Sequence, residues 1–168
     1  LFRSAGFVST GALGVDTRPI RPAVRERGRY GDAVMLLQLV YASRPFGFDA
    51  GTLTAILFDA RRCNTRDGIT GALICRDDLF LQLLEGPEAA VEAAYARIRA
   101  DDRHIEVRQL VRRKIADDAR MFGAWAMRDD PAASWVWSRA EVDAGLPEQA
   151  TEEQVLDMFR KLPPDTAA

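Results

Sequence analysis

An α+β fold of ferredoxin-like type, βαββαββ, is predicted by three observations. Five short apolar runs are bounded by turn residues, two segments between them carry apolar residues at helical spacing, and a capped helical stretch follows the last run. The expected architecture is a mixed five-stranded sheet with two helices on one face and a C-terminal helical tail. A length of 168 residues suits one such domain with short appendages.

The regular pattern begins late. Residues 1–34 hold five glycines, two prolines and six arginines against three acids, the composition of a disordered basic arm. Met35 is the first methionine of the chain, so an origin of 1–34 outside the native protein is a competing reading. Met35–Tyr41 (MLLQLVY) reads as the first strand, ended by Ser43, Arg44, Pro45 and a glycine-containing loop. Asp49–Arg62 places Leu53, Ile56, Leu57 and Ala60 on one helical stripe. Ile69–Arg76 (ITGALICR) and Leu79–Glu85 (LFLQLLE) form two strands joined at Asp77 and Asp78, a hairpin by length and turn composition. Gly86 and Pro87 open a second helix, with proline in its first turn and Val91, Ala94, Tyr95 and Ile98 on its buried face. Ile105–Ile115 is the fourth strand, a turn spans Asp117 to Phe122, and Ala124–Arg128 (AWAMR) is the fifth.

Both helices are expected to cross the same face of the sheet and to leave a groove between them, floored by strand side chains. The chain thus divides into the arm 1–34, a domain over 35–128 and an extension over 129–168. The extension contains Trp135 and Trp137, then a helix opened by Thr151 and Gln154 as a capping box, with Val155, Met158, Phe159 and Leu162 on its apolar side. It is expected to cover the sheet face that the two main helices leave bare; the alternative is a helix that binds a partner.

Composition restricts the chemistry. Twenty-three basic against twenty-five acidic residues give a formal charge of −2, which points to neither nucleic acid nor an anionic membrane as partner. With only His104, Cys63 and Cys75 available, a structural zinc site of four soft ligands cannot be built, and two cysteines make no disulfide framework. No apolar run approaches the roughly 20 residues of a membrane span, and the first thirty positions lack the compact apolar stretch expected of a signal peptide. A reducing cytoplasm is the expected compartment.

Three polar residues stand out against the apolar pattern. Tyr41 shares a strand face with Leu37 and Leu39, and Gln82 shares one with Phe80 and Leu84, so both should point into the apolar layer. A buried glutamine amide is costly unless its hydrogen-bonding sites are filled. One reading has Gln82 and Tyr41 satisfying each other within the core, with Asn64 capping the end of the first helix in a left-handed backbone conformation. The other has a phenol and two amides converging on the inter-helix groove to hold the polar edge of a planar heterocycle. None of the three is an acid or base near neutral pH, but tyrosine is an effective one-electron donor, which suits redox photochemistry better than hydrolysis.

The stretches LVYASR, RRCNTRDGITGALI, LFLQLLEGP and MFGAWAM resemble the BLUF family of blue-light sensors that use flavin. The pattern N-x-x-x-x-I-T-G-A-L followed by F-x-Q-x-L-E-G is specific in combination, and the resemblance covers about Met35 to Arg128. It implies FAD, or FMN, held noncovalently with its ring between the two helices. Tyr41 would then give an electron and a proton to the excited flavin. Gln82 would lie between Tyr41 and the flavin N5/C4=O edge, and Asn64 would hold the ring through its N3 and carbonyl edge. Ile56 and Ile98 would sandwich the ring, and Arg97, Asp101, Arg103 and His104 would meet the ribityl and phosphate part. Trp125 and Met127, two apart on the last strand, match the pair linked to signal output. Cys63 stands where some relatives carry a polar residue.

The resemblance also implies that no substrate turns over: light rearranges the Tyr41–Gln82 hydrogen bonds, and a red-shifted flavin persists until dark recovery. About forty residues follow Arg128, too few for a cyclase, phosphodiesterase or DNA-binding domain, so output is expected to pass to a separate signalling protein or through a homo-oligomer. The competing reading from another class is a cofactor-free ferredoxin-like interaction module. An acylphosphatase-like enzyme shares the fold, but YASRPFGF does not match its phosphate-binding loop.

Overall fold

The computed structural model describes residues 34–47, 50–129 and 136–162, with backbone alone at 50, 52, 53 and 127–129. Residues 1–33 of the expected arm 1–34, the side chain of Leu53 and Trp135 lie outside the described residues. The elements in order are β1 (Met35–Pro45), α1 (Ala50–Arg66), β2 (Thr70–Arg76), β3 (Leu79–Gly86), α2 (Glu88–Ala100), β4 (His104–Ala116), a 3₁₀ turn (Asp117–Ala119), β5 (Trp125–Asp129), α3 (Arg139–Asp143), α4 (Leu146–Gln149) and α5 (Glu152–Arg160). The sheet runs β4-β1-β3-β2-β5, antiparallel except for the parallel β2–β5 pair, which is the split βαβ order with a fifth strand added at one edge.

Period-two alternation along the strands builds two cores. Leu37, Leu39, Tyr41, Leu73, Cys75, Phe80, Leu84 and Trp125 pack with Ile56 of α1 and with Val91, Ala94 and Tyr95 of α2. The alternate positions, Val40, Ala42, Ala72, Ile74, Leu81 and Leu83, pack with Val142, Val155, Leu156, Phe159 and Leu162 of the tail. The extension therefore covers the second face of the sheet. It does so, among the described residues, with three helices rather than one. The sequence reading passed over α3, although Ser138 and Glu141 form a reciprocal capping box just as Thr151 and Gln154 do for α5. Five-residue α3 and four-residue α4 are too short to display an apolar stripe.

Other boundaries also moved. β1 continues to Pro45 because Ser43, Arg44 and Pro45 still find ladder partners in Phe80, Ile105 and His104. α1 continues to Arg66, so Asn64 is a helical residue and not its cap. The end is closed by Gly68 (φ 67°): the Ile69 N–H reaches the Asn64 carbonyl at 2.9 Å and the Gly68 N–H the Thr65 carbonyl at 3.3 Å. This is the Schellman arrangement, with glycine taking the left-handed position. Pro87 is the N-cap of α2 and not a residue of its first turn. At Gly71 (φ 142°) a Cβ would lie 2.0 Å from the Leu83 carbonyl oxygen, so β2 and β3 reach their spacing there only with glycine.

Candidate functional site

The site begins with β1 and β3. Their register sets Tyr41 directly opposite Gln82, and Gln82 is in turn opposite Leu73 of β2, which is opposite Met127 of β5. A single row across the sheet thus joins tyrosine, glutamine and the expected output position. Edge strand β4 bulges beside this row, the register slipping between Val40 and Tyr41.

The Tyr41 Oη–H donates to Gln82 Oε1 at 2.5 Å, and both side chains are buried. Burial, reinforced by neighbouring Tyr95, pushes the Tyr41 phenol far above its ordinary value, so it holds its proton throughout the accessible range. The Tyr95 ring lies 5.7 Å away centroid to centroid and the His104 ring 6.1 Å.

Beside Gln82 opens a cavity of about 330 Å³ between α1 and α2. Ile56 and Ala60 of α1, Ala94 and Ile98 of α2 and Leu73 below form its apolar walls, while Asn64 and Gln82 supply amides. Asn64 reaches the cavity from the last turn of α1, which is why a helical residue serves where a capping one was expected. Tyr41 itself does not line the cavity; it stands behind Gln82 and meets any ligand through that amide.

Part of the rim is polar. Arg97, Asp101, Arg103 and His104 all line it, on α2, its C-cap, the following turn and the start of β4. The Arg103 guanidinium grips the Asp101 carboxylate through both oxygens and holds that carboxyl below its ordinary range. Arg97 reaches Asp67 at 3.6 Å. His104 is buried, its Nδ1 2.9 Å from Ser43 Oγ and its ring 5.1 Å from Phe80; burial lowers its pKa, so it is neutral at pH 7. Sequence reasoning missed Asp59, Arg62 and Leu73, which also line the cavity; Asp59 and Arg62 lie one turn apart on α1 beside its apolar stripe, where charged side chains read as solvated. Half-buried Cys63 lines it as well.

Trp125 is buried on the same face, and its Nε1–H has no acceptor among the described residues. Met127 pairs with Leu73 through the backbone, and its side chain lies outside the described residues. No group of three or more His, Cys, Asp or Glu converges on a cation site among the described residues, and no described helix is long and apolar enough to cross a membrane.

A pocket with apolar walls and a lining that includes two amides and arginines fits a planar heterocycle carrying a charged tail. The model of the family "BLUF: Sensors of blue-light using FAD" matches residues 36–128. The chain belongs to the BLUF family. The description of that family is of sensors that respond to blue light and use FAD as cofactor. Among solved structures, the dark state of the BLUF protein BlrB is 32% identical, with a TM-score of 0.55 over 74% of this chain and 92% of that one. Klebsiella pneumoniae BlrP1 with FMN and cyclic diGMP is 27% identical, with a TM-score of 0.55 over 74% of this chain and 35% of that one. Photoactivated adenylate cyclase subunit alpha of Euglena gracilis is 35% identical over 104 residues, 61% of this chain and 10% of the relative. The chain spans a tenth or less of the length of the curated relatives it matches first.

Proposed function

We propose that this BLUF domain senses blue light through the Tyr41–Gln82 pair, with the flavin ring in the cavity between α1 and α2. The observation that carries the proposal is the buried 2.5 Å bond from Tyr41 to Gln82 beside a pocket that Gln82 lines and Tyr41 does not. Ile56 and Ile98 flank the ring, Asn64 and Gln82 take its polar edge, and Arg97, Asp101, Arg103 and His104 serve the ribityl and phosphate end. When bound, the flavin supplies absorption of blue light and an excited state that accepts one electron.

The chain supplies the rest. Tyr41 is a buried phenol with its proton already directed at Gln82 Oε1. Loss of an electron turns a phenol into a strong acid, so the Oη proton moves along this existing bond towards the amide oxygen. Gln82 has an acceptor at one end and a donor at the other, and rotation or tautomerisation of the amide changes what it offers both to Tyr41 and to the cavity. The surrounding layer of Leu37, Leu39, Phe80 and Leu84 excludes water, which keeps the exchange between these partners.

The domain acts as a sensor without catalysis of its own, and its output passes to a separate signalling protein. In the photoactivated adenylate cyclases the matched stretch is about a tenth of the chain, as expected of a sensor that acts on something beside it. Trp125 and Met127 on β5, together with the 129–168 extension, form the coupling surface, and a homo-oligomer is the expected assembly.

The test is the visible spectrum of the protein loaded with FAD and, separately, FMN. A yellow protein with a reversible red shift under blue light is expected, and Tyr41→Phe is expected to bind flavin with no red-shifted state. A protein that stays colourless with both cofactors, or a Tyr41→Phe variant with the normal photoproduct, would overturn the reading.

A further inference from the structure

Three residues beyond Gln82, β3 carries a second buried polar side chain, Glu85, on the opposite face of the sheet. It is fully buried, and its partners are complete and unusual. Gln38 Nε2–H donates to Glu85 Oε1 at 2.6 Å, and Arg113 Nε–H donates to Gln38 Oε1 at 2.6 Å, so a cation on β4 reaches the carboxylate through one amide. The other donors are backbone. The Met121 N–H reaches both carboxylate oxygens, at 3.1 and 3.0 Å, and the Phe122 N–H reaches Oε2 at 3.3 Å.

Those two amides belong to the connection between β4 and β5, three and four residues before Trp125. Arg120 in the same connection donates from Nη1 to the Glu85 carbonyl and to Thr70 Oγ1, both at 2.9 Å. The Gly71 N–H reaches the Ala124 carbonyl at 3.2 Å, where the β2–β5 ladder begins. The strand of Gln82 is therefore tied to the start of β5 by side chains, although β2 separates the two strands in the sheet.

We propose that Glu85 is a positioning residue for the light response, its carboxylate carrying any displacement of the Gln82 strand into the 117–124 connection and so into β5. A buried carboxylate is a costly way to hold a loop, since leaving such a charge with one partner too few is strongly unfavourable. That cost makes the tie stiff: the connection cannot drift from β3 without stranding the charge. Burial pushes the Glu85 carboxyl upward, opposed by the bonds from Gln38, Met121 and Phe122 and by the Arg120 charge. The proposal rests on the photochemical reading of Tyr41 and Gln82.

The experiment measures two quantities on the flavin-loaded full chain, the light-induced red shift and the light-minus-dark difference in amide hydrogen exchange over 121–129. In Glu85→Gln the red shift is expected to persist, because Gln82 lies on the other face. The exchange difference is expected to fall on the order of tenfold, within the range that substitutions along coupled networks reach. Glu85→Asp, which keeps the charge and shortens the reach, is expected to behave likewise. A variant that exchanges faster in the dark but keeps the full light-minus-dark difference marks a merely structural anchor and overturns the proposal. A wild-type protein that red-shifts with no light response at the Met121 and Phe122 amides overturns it as well. Absence of the red shift in the wild type would instead strike the photochemical reading.

Discussion

Two rows of residues cross the same sheet three positions apart on β3, roughly 10 Å from each other. One runs Tyr41–Gln82–Leu73–Met127, and the other runs Arg113–Gln38–Glu85–Thr70. Each puts a glutamine beside a protonatable side chain in an otherwise apolar layer. In the second row the donors and acceptors close on each other: Arg113 on Gln38, Gln38 on Glu85, and two backbone amides on Glu85. The first row stays open: Gln82 is bonded to Tyr41 on one side and faces a cavity on the other, and on the same face the Trp125 Nε1–H has no acceptor among the described residues. A polar group inside a sheet is therefore not informative by its burial alone. What separates a ligand site from a structural clasp is whether the protein itself completes the hydrogen bonding.

Substitutions in the two faces should separate accordingly. The largest effect is expected in the open row: Gln82→Leu removes the acceptor for Tyr41, and the red-shifted state should vanish from the light-minus-dark spectrum while the fold is kept. The comparison breaks if that variant forms the normal photoproduct. On the tail face, Phe159→Ala is expected to cost about 3–5 kcal/mol by emptying a filled core position, with the spectrum unaltered. Urea denaturation monitored alongside flavin absorbance checks both halves of that statement.

A smaller effect should appear with acidification. Burial holds the His104 pKa below its ordinary value of 6.5, with Asp101, Arg103, Ser43 and the Tyr41 and Phe80 rings around it. The unfolded chain then takes up the proton first, so this contribution to stability is present above pH 6.5 and is lost as pH falls through the native value. Glu85 acts with the opposite sign: its raised pKa favours the native state below the ordinary value of 4.5 and loses that contribution as pH rises through the native one. Urea midpoints between pH 7.5 and 5.5 should fall on acidification in the wild type and flatten in His104→Gln. The smallest effect, about 1 kcal/mol, is expected from Thr151→Ala, which deletes one half of the α5 capping box on the closed face.

Much of the fold was legible because the signals are local. Alternation put Tyr41 and Gln82 on one strand face, Asp77 and Asp78 marked the hairpin, and the Thr151–Gln154 spacing marked α5. Asn64 shows where local reading stops. An asparagine near a helix end is a natural cap, yet Gly68 four residues later takes the left-handed position and leaves Asn64 one turn inside, facing the cavity. Glu85 was read as the last residue of an apolar strand, since its donors at Met121 and Phe122 lie more than thirty positions away and are main-chain groups with no signature in the sequence.

The sequence by itself determined which residues share a face, because the strand and helix periods are properties of the backbone. It also determined the family, because the BLUF motifs are contiguous. Only the tertiary structure decided that Gln82 lines a cavity while Tyr41 stands behind it, that tail helices close the second face, and that Glu85 is satisfied where the Trp125 Nε1–H finds no acceptor among the described residues. Each of those depends on which distant groups arrive at a buried polar atom, and hydrogen bonding at 3 Å is set by the packing of whole elements.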